Sequence, residues 1–310
     1  MKTSNYGLKL CKKYYEEVAR PIIASECPEI IGRAAFGLVG EGSECFGFDD
    51  EISRDHDWGP GFCIWLNDED YIKYGQKLTE IYNSLPKEFE GYKRIRETNE
   101  TAGRVGVMRI SDFYCKFIGL NRAPEHINEW RFLPDSNFAV VTNGEVFEDG
   151  DGEFTKIRKG ILSYYPEDVR KKKISHHAAV AAQSGQYNFY RCEKRDNYIA
   201  TFQTKAIFIE HIIATVFLLN LKFCPYYKWA SVAMKELPVL GKDIYDLTEK
   251  LCKDDIQPEH EIEDISALII EEFKEQNLSQ TNSDFLLDHA KEILASIEDE
   301  SLNHSHIMSD

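Results

Sequence analysis

Strand-like apolar runs alternate with helical segments only up to about residue 150 of this 310-residue chain. Beyond that point the apolar spacing is helical, and no run predicts a further strand. Alternating strands and helices are typical of a small α/β or α+β domain, whereas a purely helical pattern predicts an all-helical domain. The sequence therefore predicts an α+β protein, with a mixed-sheet domain over residues 1–150 and a helical domain over residues 151–303. Residues 304–310 are predicted to form a disordered tail.

The individual elements are predicted from apolar spacing and from the positions of proline and capping residues. In the first domain, helices are predicted at 7–26 (with a break at Pro21), 28–35, 67–85 and 111–119, and strands at 36–40, 55–66, 105–110 and just after the turn at 142–144. In the second domain, helices are predicted at 153–164, 166–184, 196–221, 226–236, 242–253, 258–277 and 283–300.

The net charge of −16 is concentrated near the C-terminal end of the sequence. Residues 254–310 contain 16 acidic residues and two lysines, a balance of −14, which leaves −2 for residues 1–253. Acidic surfaces repel nucleic acid backbones and anionic membranes, so non-specific nucleic-acid binding is not expected. The acidic helices either form a solvated face or attract a cationic substrate or a basic partner.

Cysteine usage and hydropathy predict a cytoplasmic protein. The eight cysteines are scattered without a CxxC pair or metal-ligand spacing, which favours reduced thiols over a disulfide framework. A membrane span needs about 20 apolar residues, and the best candidate, residues 206–221, is interrupted by Glu210 and His211. No secretory signal is expected at the N-terminus, and no membrane partner is predicted.

The clearest chemical pattern consists of Gly42-Ser43, which follows an apolar run, and Asp55-x-Asp57, which precedes another. Residues i and i+2 of a strand point to the same face, so a strand over 55–66 would hold the two carboxylates side by side. Adjacent carboxylates repel each other unless a cation joins them, and Mg²⁺ binds such oxygens together with substrate phosphates. A Gly-Ser turn offers backbone N–H groups to those phosphates. The pattern predicts a site for metal-assisted nucleotidyl transfer.

Other polar residues have simpler interpretations. Asp49, Asp50 and Glu51 are interpreted as a solvated loop, and Arg54 either contacts phosphate or pairs with the two aspartates. The pair His176-His177 on a predicted helix is interpreted as structural.

Lys228 is the candidate nucleotide contact in the helical domain. Its neighbours in the sequence are the aromatic residues Tyr226, Tyr227 and Trp229. A cation next to aromatic rings suits the binding of a base or a phosphate.

Residues 42–59 (GSECFGFDDEISRDHDWG) resemble a bacterial family of nucleotidyltransferase-like proteins of unassigned function. Within this run, Gly42-Ser43, an eleven-residue spacer and Asp55-x-Asp57 resemble the signature of the polymerase-beta-type nucleotidyltransferase superfamily. The resemblance extends from about residue 35 to about residue 241 and includes 142–147, 152–155, 165–170, 182–188 and 225–229.

The resemblance implies transfer of a nucleoside monophosphate from an NTP, with ATP as the default donor, to a hydroxyl group of an unidentified acceptor. Asp55 and Asp57 would be the catalytic residues and would hold two Mg²⁺ ions, while Gly42 and Ser43 would contact the β- and γ-phosphates. The two-domain layout also resembles aminoglycoside nucleotidyltransferases. A cationic small molecule is therefore one expected acceptor, and a protein or RNA hydroxyl is another.

One departure from the superfamily pattern concerns a third carboxylate. Related enzymes commonly carry it on a following strand, but residues 104–110 contain no acid, and Gly106 stands where one is expected. Asp112 and Glu145 are the nearby substitutes. The alternative function is therefore a nucleotide-binding or partner-binding protein with weak or no turnover on the same fold.

Overall fold

The structure, a computed structural model, describes residues 6–55, 58–95, 103–253 and 258–309. The chain divides into two compact units, one formed by Met1–Pro124 with Asn137–Ser163 and the other by Glu125–Ser136 with Tyr164–Asp310. Both sheets belong to the first unit, and every secondary-structure element described in the second unit is a helix, so the predicted α+β class is confirmed. The first unit continues past the predicted boundary at residue 150 and omits residues 125–136.

The first unit contains six strands in the described residues: β1 (Ala35–Leu38), β2 (Cys63–Leu66), β3 (Glu88–Phe89), β4 (Tyr92–Lys93), β5 (Gly106–Arg109) and β6 (Glu145–Asp149). Four of them form a mixed sheet in the order β5-β2-β1-β6. Strand β1 is antiparallel to both β2 and β6, and β2 is parallel to β5.

Strands β3 and β4 form a separate hairpin that the sequence analysis did not predict. The two turn residues, Glu90 and Gly91, have φ values of +51° and +81°. Positive φ at both central residues is the geometry that matches the twist of a two-residue hairpin.

The helices of the first unit are α1 (Tyr6–Tyr14), α2 (Arg20–Glu26), α3 (Ser43–Phe46), α4 (Asp68–Ser84), α5 (Ile110–Ile118), most of α7 (Asp135–Thr142) and α8 (Glu153–Leu162). Helix α6 (Ile127–Arg131) lies in the second unit with α9 (Glu167–Ala181), α10 (Tyr190–Glu193), α11 (Tyr198–Leu219), α12 (Tyr227–Lys235), α13 (Gly241–Cys252), α14 (Pro258–Glu275), α15 (Leu286–Ala295) and α16 (Glu300–Asn303).

No break is present at Pro21: the chain is helical from Tyr6 to Glu26, and the irregularity is a π-helical turn, Tyr15–Ala19, that lies between α1 and α2 and ends before Pro21. Pro21 lies in the first turn of α2, where the missing N–H of proline is tolerated. The helix predicted at 28–35 is wrong apart from the 3₁₀ turn Pro28–Ile30, because β1 begins at Ala35.

The mixed sheet is covered on both faces. Phe36 and Ile64 belong to a core with the N-terminal helices and α4, while Trp65 points to the opposite face. Trp65 stacks on Phe154 of α8 at a centroid distance of 4.1 Å and meets Phe113 of α5 edge-on at 5.5 Å. All four residues of β2 are buried, as expected for a central strand with two covered faces.

The predicted strand 55–66 is wrong over its first half. Ile52–Asp55 forms a 3₁₀ turn, and β2 begins only at Cys63. Pro60 has no N–H to donate to a sheet, and Gly59 has a φ of +145° at a point where a Cβ atom would collide with the carbonyl oxygen of Lys93. The chain therefore becomes a paired strand only after this turn.

In the second unit, α9 packs against α11 and α15. The chain continues from α9 into a π-helical segment, Ala182–Phe189, in which a Cβ atom on Gly185 would collide with the ring of Phe208 of α11. Glycine at this position therefore allows the close approach of the segment to α11. The C-terminal residues differ from the predicted disorder: buried Lys172 donates to the carbonyl oxygens of His306 (3.0 Å) and Ser309 (2.6 Å).

Helix α11 is, among the described residues, the one helix with the length and composition to cross a membrane, and 39% of its most apolar window is buried. The expectation that no segment reaches this length and hydropathy is wrong. Core helices of soluble proteins meet the same criteria, so one such helix is weak evidence for a membrane span.

Candidate functional site

The strand register brings four loops to one edge of the mixed sheet. Gly37 of β1 pairs with Cys63 of β2, and Cys63 pairs with Gly106 of β5, while Leu38 pairs with Glu145 of β6. The end of β1 and the starts of β2, β5 and β6 therefore lie together. We call this region the Gly-Ser edge and define it by residues 39–43, 58–62, 103–105 and 142–144.

Gly42 and Ser43 connect the end of β1 to the short helix α3. Gly42 is the N-cap, its carbonyl accepts from Cys45 N–H (3.0 Å), and the Ser43 carbonyl accepts from Phe48 N–H (2.9 Å). A Cβ atom on Gly42 would lie 2.5 Å from the Glu44 carboxylate and would collide with Arg104 Nη2. The glycine is therefore required by packing, because its φ of −68° is open to any residue.

Asn143 and Gly144 hold this loop from the neighbouring segment. Asn143 Nδ2 donates to Gly40 O (2.7 Å), and Gly40 N–H donates to Asn143 Oδ1 (3.0 Å). Gly144 has a φ of +59° and donates its N–H to Cys45 O (2.8 Å). The Gly42-Ser43 loop is thus fixed from both sides by backbone and amide hydrogen bonds.

A buried ion pair lies beneath Gly42. Glu44, 2% exposed, accepts from Arg104 Nη2 through Oε1, and Arg104 is 17% exposed. Oε2 of Glu44 is buried and has no hydrogen-bond partner among the described residues. Sequence analysis did not single out either residue, since they are 60 positions apart and their pairing depends on the sheet.

Two buried thiols lie close to this carboxylate. Burial raises the pKa of Cys11 and Cys45 above the usual value, and the charge of Glu44 adds to the effect. These thiols are therefore protonated at neutral pH and unreactive. All eight cysteines are free. Cys11, Cys27, Cys45 and Cys63 are buried, whereas the other four are at least partly exposed.

Asp49 is not a solvated loop residue, and that interpretation is wrong. It is 2% exposed and accepts through Oδ2 from Gly7 N–H (2.9 Å) and from Trp58 Nε1 (3.3 Å). A carboxylate near the first turn of α1 interacts favourably with the helix dipole. Asp49 thus ties the N-terminal helix to the loop that follows α3.

Arg54 and Trp58 flank the Asp55-x-Asp57 motif and contact each other. The Arg54 guanidinium lies 5.0 Å from the Trp58 ring centroid and 5.6 Å from that of Tyr6, and the two rings stack at 6.0 Å. Tyr92 closes the cluster, 5.1 Å from Trp58. The residues on both sides of the motif are therefore held by one aromatic cluster.

The two predicted metal ligands, Asp55 and Asp57, lie largely outside the residues that the structure describes. Asp57 and the side chain of Asp55 lie outside the described residues, and the backbone of Asp55 closes the 3₁₀ turn Ile52–Asp55. Asp55 therefore does not lie on a strand, and the predicted alignment of the two carboxylates by strand geometry is wrong for Asp55. The segment still leads into β2, which begins at the Gly-Ser edge.

The two substitutes for a third carboxylate lie at opposite ends of the sheet. Asp112 is in the first turn of α5, beyond the end of β5, about 10 Å along the strand from the Gly-Ser edge. It is exposed and lies 3.9 Å from Arg109 Nε. Glu145 begins β6 at the correct edge, but its carboxylate forms a 2.5 Å ion pair with Lys12 of α1.

Lys228, the predicted nucleotide contact, belongs to the second unit. It is exposed near the start of α12, with its Nζ 4.8 Å from the ring centroid of Trp229. Tyr226 and Tyr227 lie beside it with their rings 4.2 Å apart. The expected grouping of a cation with aromatic rings is therefore present.

The second unit also contains a histidine cluster that the sequence analysis did not predict. His176 and His177 of α9 meet His211 of α11, and nitrogen atoms from the three rings lie within 4.8 Å of one another. Burial lowers the pKa of His177 well below the usual value, and the neighbouring His211 lowers it further. The sequence contained the pair His176-His177, but the third residue is 34 positions later on a different helix.

Comparison with known proteins gives one family match and one structural match. Residues 130–230, about a third of the chain, match the family described as a domain of unknown function (DUF4037). The chain is similar to the crystal structure of a nucleotidyltransferase-like protein from Exiguobacterium sibiricum 255-15, at 12% identity over 92% of this chain and 81% of that chain, with a TM-score of 0.35. No curated protein matches this chain.

The family match includes residues 142–155 and 182–188, on which the resemblance described above partly rests, but it does not reach residues 42–59. The resemblance to nucleotidyltransferases rests on Gly42-Ser43 with Asp55-x-Asp57.

Proposed function

We propose that the protein is a Mg²⁺-dependent nucleotidyltransferase that moves a nucleoside monophosphate, with ATP as the expected donor, to a hydroxyl group of an acceptor. The proposal is carried by the position of Gly42-Ser43, which lies between the end of β1 and the start of α3. The segment after Asp55-x-Asp57 enters β2 at the same edge of the sheet. This arrangement agrees with the order of elements that the motif implies.

The residues of the Gly-Ser edge have separate roles in this proposal. The Gly42 amide, the Ser43 amide and the Ser43 hydroxyl contact the β- and γ-phosphates, and the two hydrogen bonds between Asn143 and Gly40 keep that loop in place. The acceptor oxygen forms a bond to the α-phosphorus, the bond to the β-phosphate oxygen breaks, and pyrophosphate leaves. Lys228 is proposed as a further nucleotide contact, and the acceptor is proposed to be a cationic small molecule or a protein or RNA hydroxyl.

The carboxylates that are available near the Gly-Ser edge restrict where magnesium would bind. The described carboxylates of this region already have partners: Glu44 pairs with Arg104, Asp49 with Gly7 and Trp58, and Glu145 with Lys12. Asp55 and Asp57 are therefore the proposed ligands. Bound magnesium would supply positive charge to the triphosphate and the leaving group.

A second function, nucleotide or partner binding without turnover, is favoured by the positions of the candidate third carboxylates. Strand β5 has no acidic residue, Asp112 follows the opposite end of the sheet, and Glu145 is engaged by Lys12. Without a base to accept the proton of the hydroxyl group, transfer would be slow even with donor bound.

Titration calorimetry with the four NTPs, with and without Mg²⁺, tests the proposal. We expect Mg²⁺-dependent binding of one NTP that is lost in Asp55→Asn/Asp57→Asn and kept in Glu51→Gln, an exposed carboxylate of the same loop. Equal binding by all three proteins, or no binding by the folded wild type, would remove the proposed site.

A transfer assay then separates the two functions. An α-labelled NTP is incubated with Mg²⁺ and a panel of cationic small molecules, RNA and proteins. Transferred label that disappears in Asp57→Asn supports the enzyme. Mg²⁺-dependent NTP binding without pyrophosphate release under any of these conditions favours the binding protein.

A further inference from the structure

The three imidazoles of the second unit converge because α9 and α11 pack against each other. His176 and His177 are consecutive on α9, so their side chains diverge by about 100° around the helix, and His211 approaches from α11. The ring centroids are 5.2 Å apart for His176 and His177, 5.5 Å for His176 and His211, and 4.9 Å for His177 and His211. All three side chains are half-buried on rigid helices.

The hydrogen bonds of the cluster determine which ring nitrogens carry lone pairs. His176 Nδ1 lies 3.3 Å from the carbonyl oxygen of Ile307, which only accepts, so Nδ1 carries the proton and Nε2 the lone pair. His177 Nδ1 and His211 Nδ1 lie 2.8 Å apart, so one proton is shared between two nitrogens. A cation that replaced this proton would satisfy both lone pairs.

We propose that His176, His177 and His211 bind one divalent transition-metal ion of the Zn²⁺ class. Zinc binds imidazole nitrogen at about 2.0–2.1 Å, which places tetrahedral ligand atoms about 3.3 Å apart. The present separations, from 2.8 Å up to 4.8 Å, bracket that value, so small rotations of the side chains are sufficient. The carbonyl of Ile307 orients His176 from behind, which is a common feature of histidine ligands.

One of the three histidines borders open space that could hold a fourth ligand. His177 lines a cavity of about 810 Å³ within the second unit, together with Glu210, Cys224 and the apolar residues Phe202, Ile209 and Ile213. Three protein ligands with a fourth position for water or substrate are typical of catalytic rather than structural zinc sites. Mg²⁺ prefers oxygen ligands, so this site is independent of the proposed nucleotide site.

Metal binding is tested on chelator-treated protein without a histidine tag, in a Cys115→Ser/Cys252→Ser background that removes the two exposed thiols. We expect one Zn²⁺ per chain by calorimetry, with Co²⁺ giving the visible spectrum of a four-coordinate site with three nitrogen ligands. Each of His176→Gln, His177→Gln and His211→Gln should lower the Zn²⁺ affinity about 100-fold or more. Loss of a ligand should cost at least as much as loss of a group that hydrogen-bonds to a ligand. Exposed His126→Gln and His304→Gln serve as matched controls and should bind like the parent protein.

The same measurements can overturn the proposal. Three histidines that only pack as core side chains would give no Zn²⁺ heat and no four-coordinate Co²⁺ spectrum. Affinity that falls equally in the control variants would indicate surface binding. Circular dichroism identifies any variant that fails to fold, and each of the three ligand variants gives an independent test.

Discussion

The carboxylate of Glu44 is buried against the guanidinium of Arg104, directly beneath the backbone of Gly42. The motif predicted to contact phosphate therefore also covers a buried charge pair. Gly42 has no Cβ atom, and the Glu44–Arg104 pair occupies the space that a Cβ atom would need. The same absence of a side chain would allow a phosphate to approach the backbone amide. Substitutions here can separate the stability of the fold from nucleotide binding.

Arg104→Met should destabilise the protein by about 3–5 kcal/mol, because the buried carboxylate of Glu44 would lose its counter-charge. Adding Glu44→Met should recover part of that loss. Lys116→Met, which breaks an exposed pair with Glu41, is the control and should cost no more than about 1 kcal/mol. Urea unfolding is measured on the wild type, on Arg104→Met and Glu44→Met singly and together, and on Lys116→Met, and simple additivity of the Arg104 and Glu44 variants would contradict the prediction.

Gly42→Ala should cost about 1–3 kcal/mol, because its Cβ atom must displace Arg104 and the Glu44 carboxylate. Ser43→Ala should leave stability nearly unchanged while weakening NTP binding about tenfold under the proposed function, through the loss of one hydrogen bond to a charged group. Thermal unfolding and calorimetry report the two effects separately. A Gly42→Ala protein as stable as the wild type would contradict the packing role.

Asp49→Ala should cost about 1–3 kcal/mol, since Gly7 N–H and Trp58 Nε1 would lose their buried acceptor. The loss should appear as faster hydrogen exchange in α1, because Asp49 ties the start of that helix to the loop. Glu51→Ala, at an exposed position of the same loop, is the control and should leave both measurements unchanged.

Glu148 should contribute stability that is lost in acid. The hydrogen bond from Arg20 lowers the pKa of Glu148, the Tyr15 hydroxyl acts in the same direction, and partial burial opposes both. Because the folded pKa lies below the unfolded value of about 4.3, this contribution is present above about pH 4.3 and disappears as the pH falls through the folded pKa.

Arg20→Gln tests this pH dependence. The variant should be less stable than the wild type at neutral pH, and the difference should shrink as Glu148 becomes protonated. Urea unfolding between about pH 7 and about pH 3 measures the difference. A gap that is independent of pH would show that Arg20 acts by packing alone.

Local pattern was sufficient for much of the fold. The α+β class, the strands near residues 36–40 and 105–110 and the helical second half followed from apolar spacing and proline positions. The start of β2 was misjudged because strand-forming residues alone do not show where pairing begins. Strand pairing is prevented at Gly59 by its positive φ and at Pro60 by the missing N–H donor.

The site was only partly determined by sequence. Gly42-Ser43 could be recognised because its residues are adjacent, and Asp55-x-Asp57 because its spacing is short. Tertiary structure decided which distant groups meet: Glu44 with Arg104, Asp49 with Gly7, and His211 with His177. The physical reason is that periodicity specifies which face of an element is buried, whereas strand register and helix packing determine which residues from separate elements come into contact.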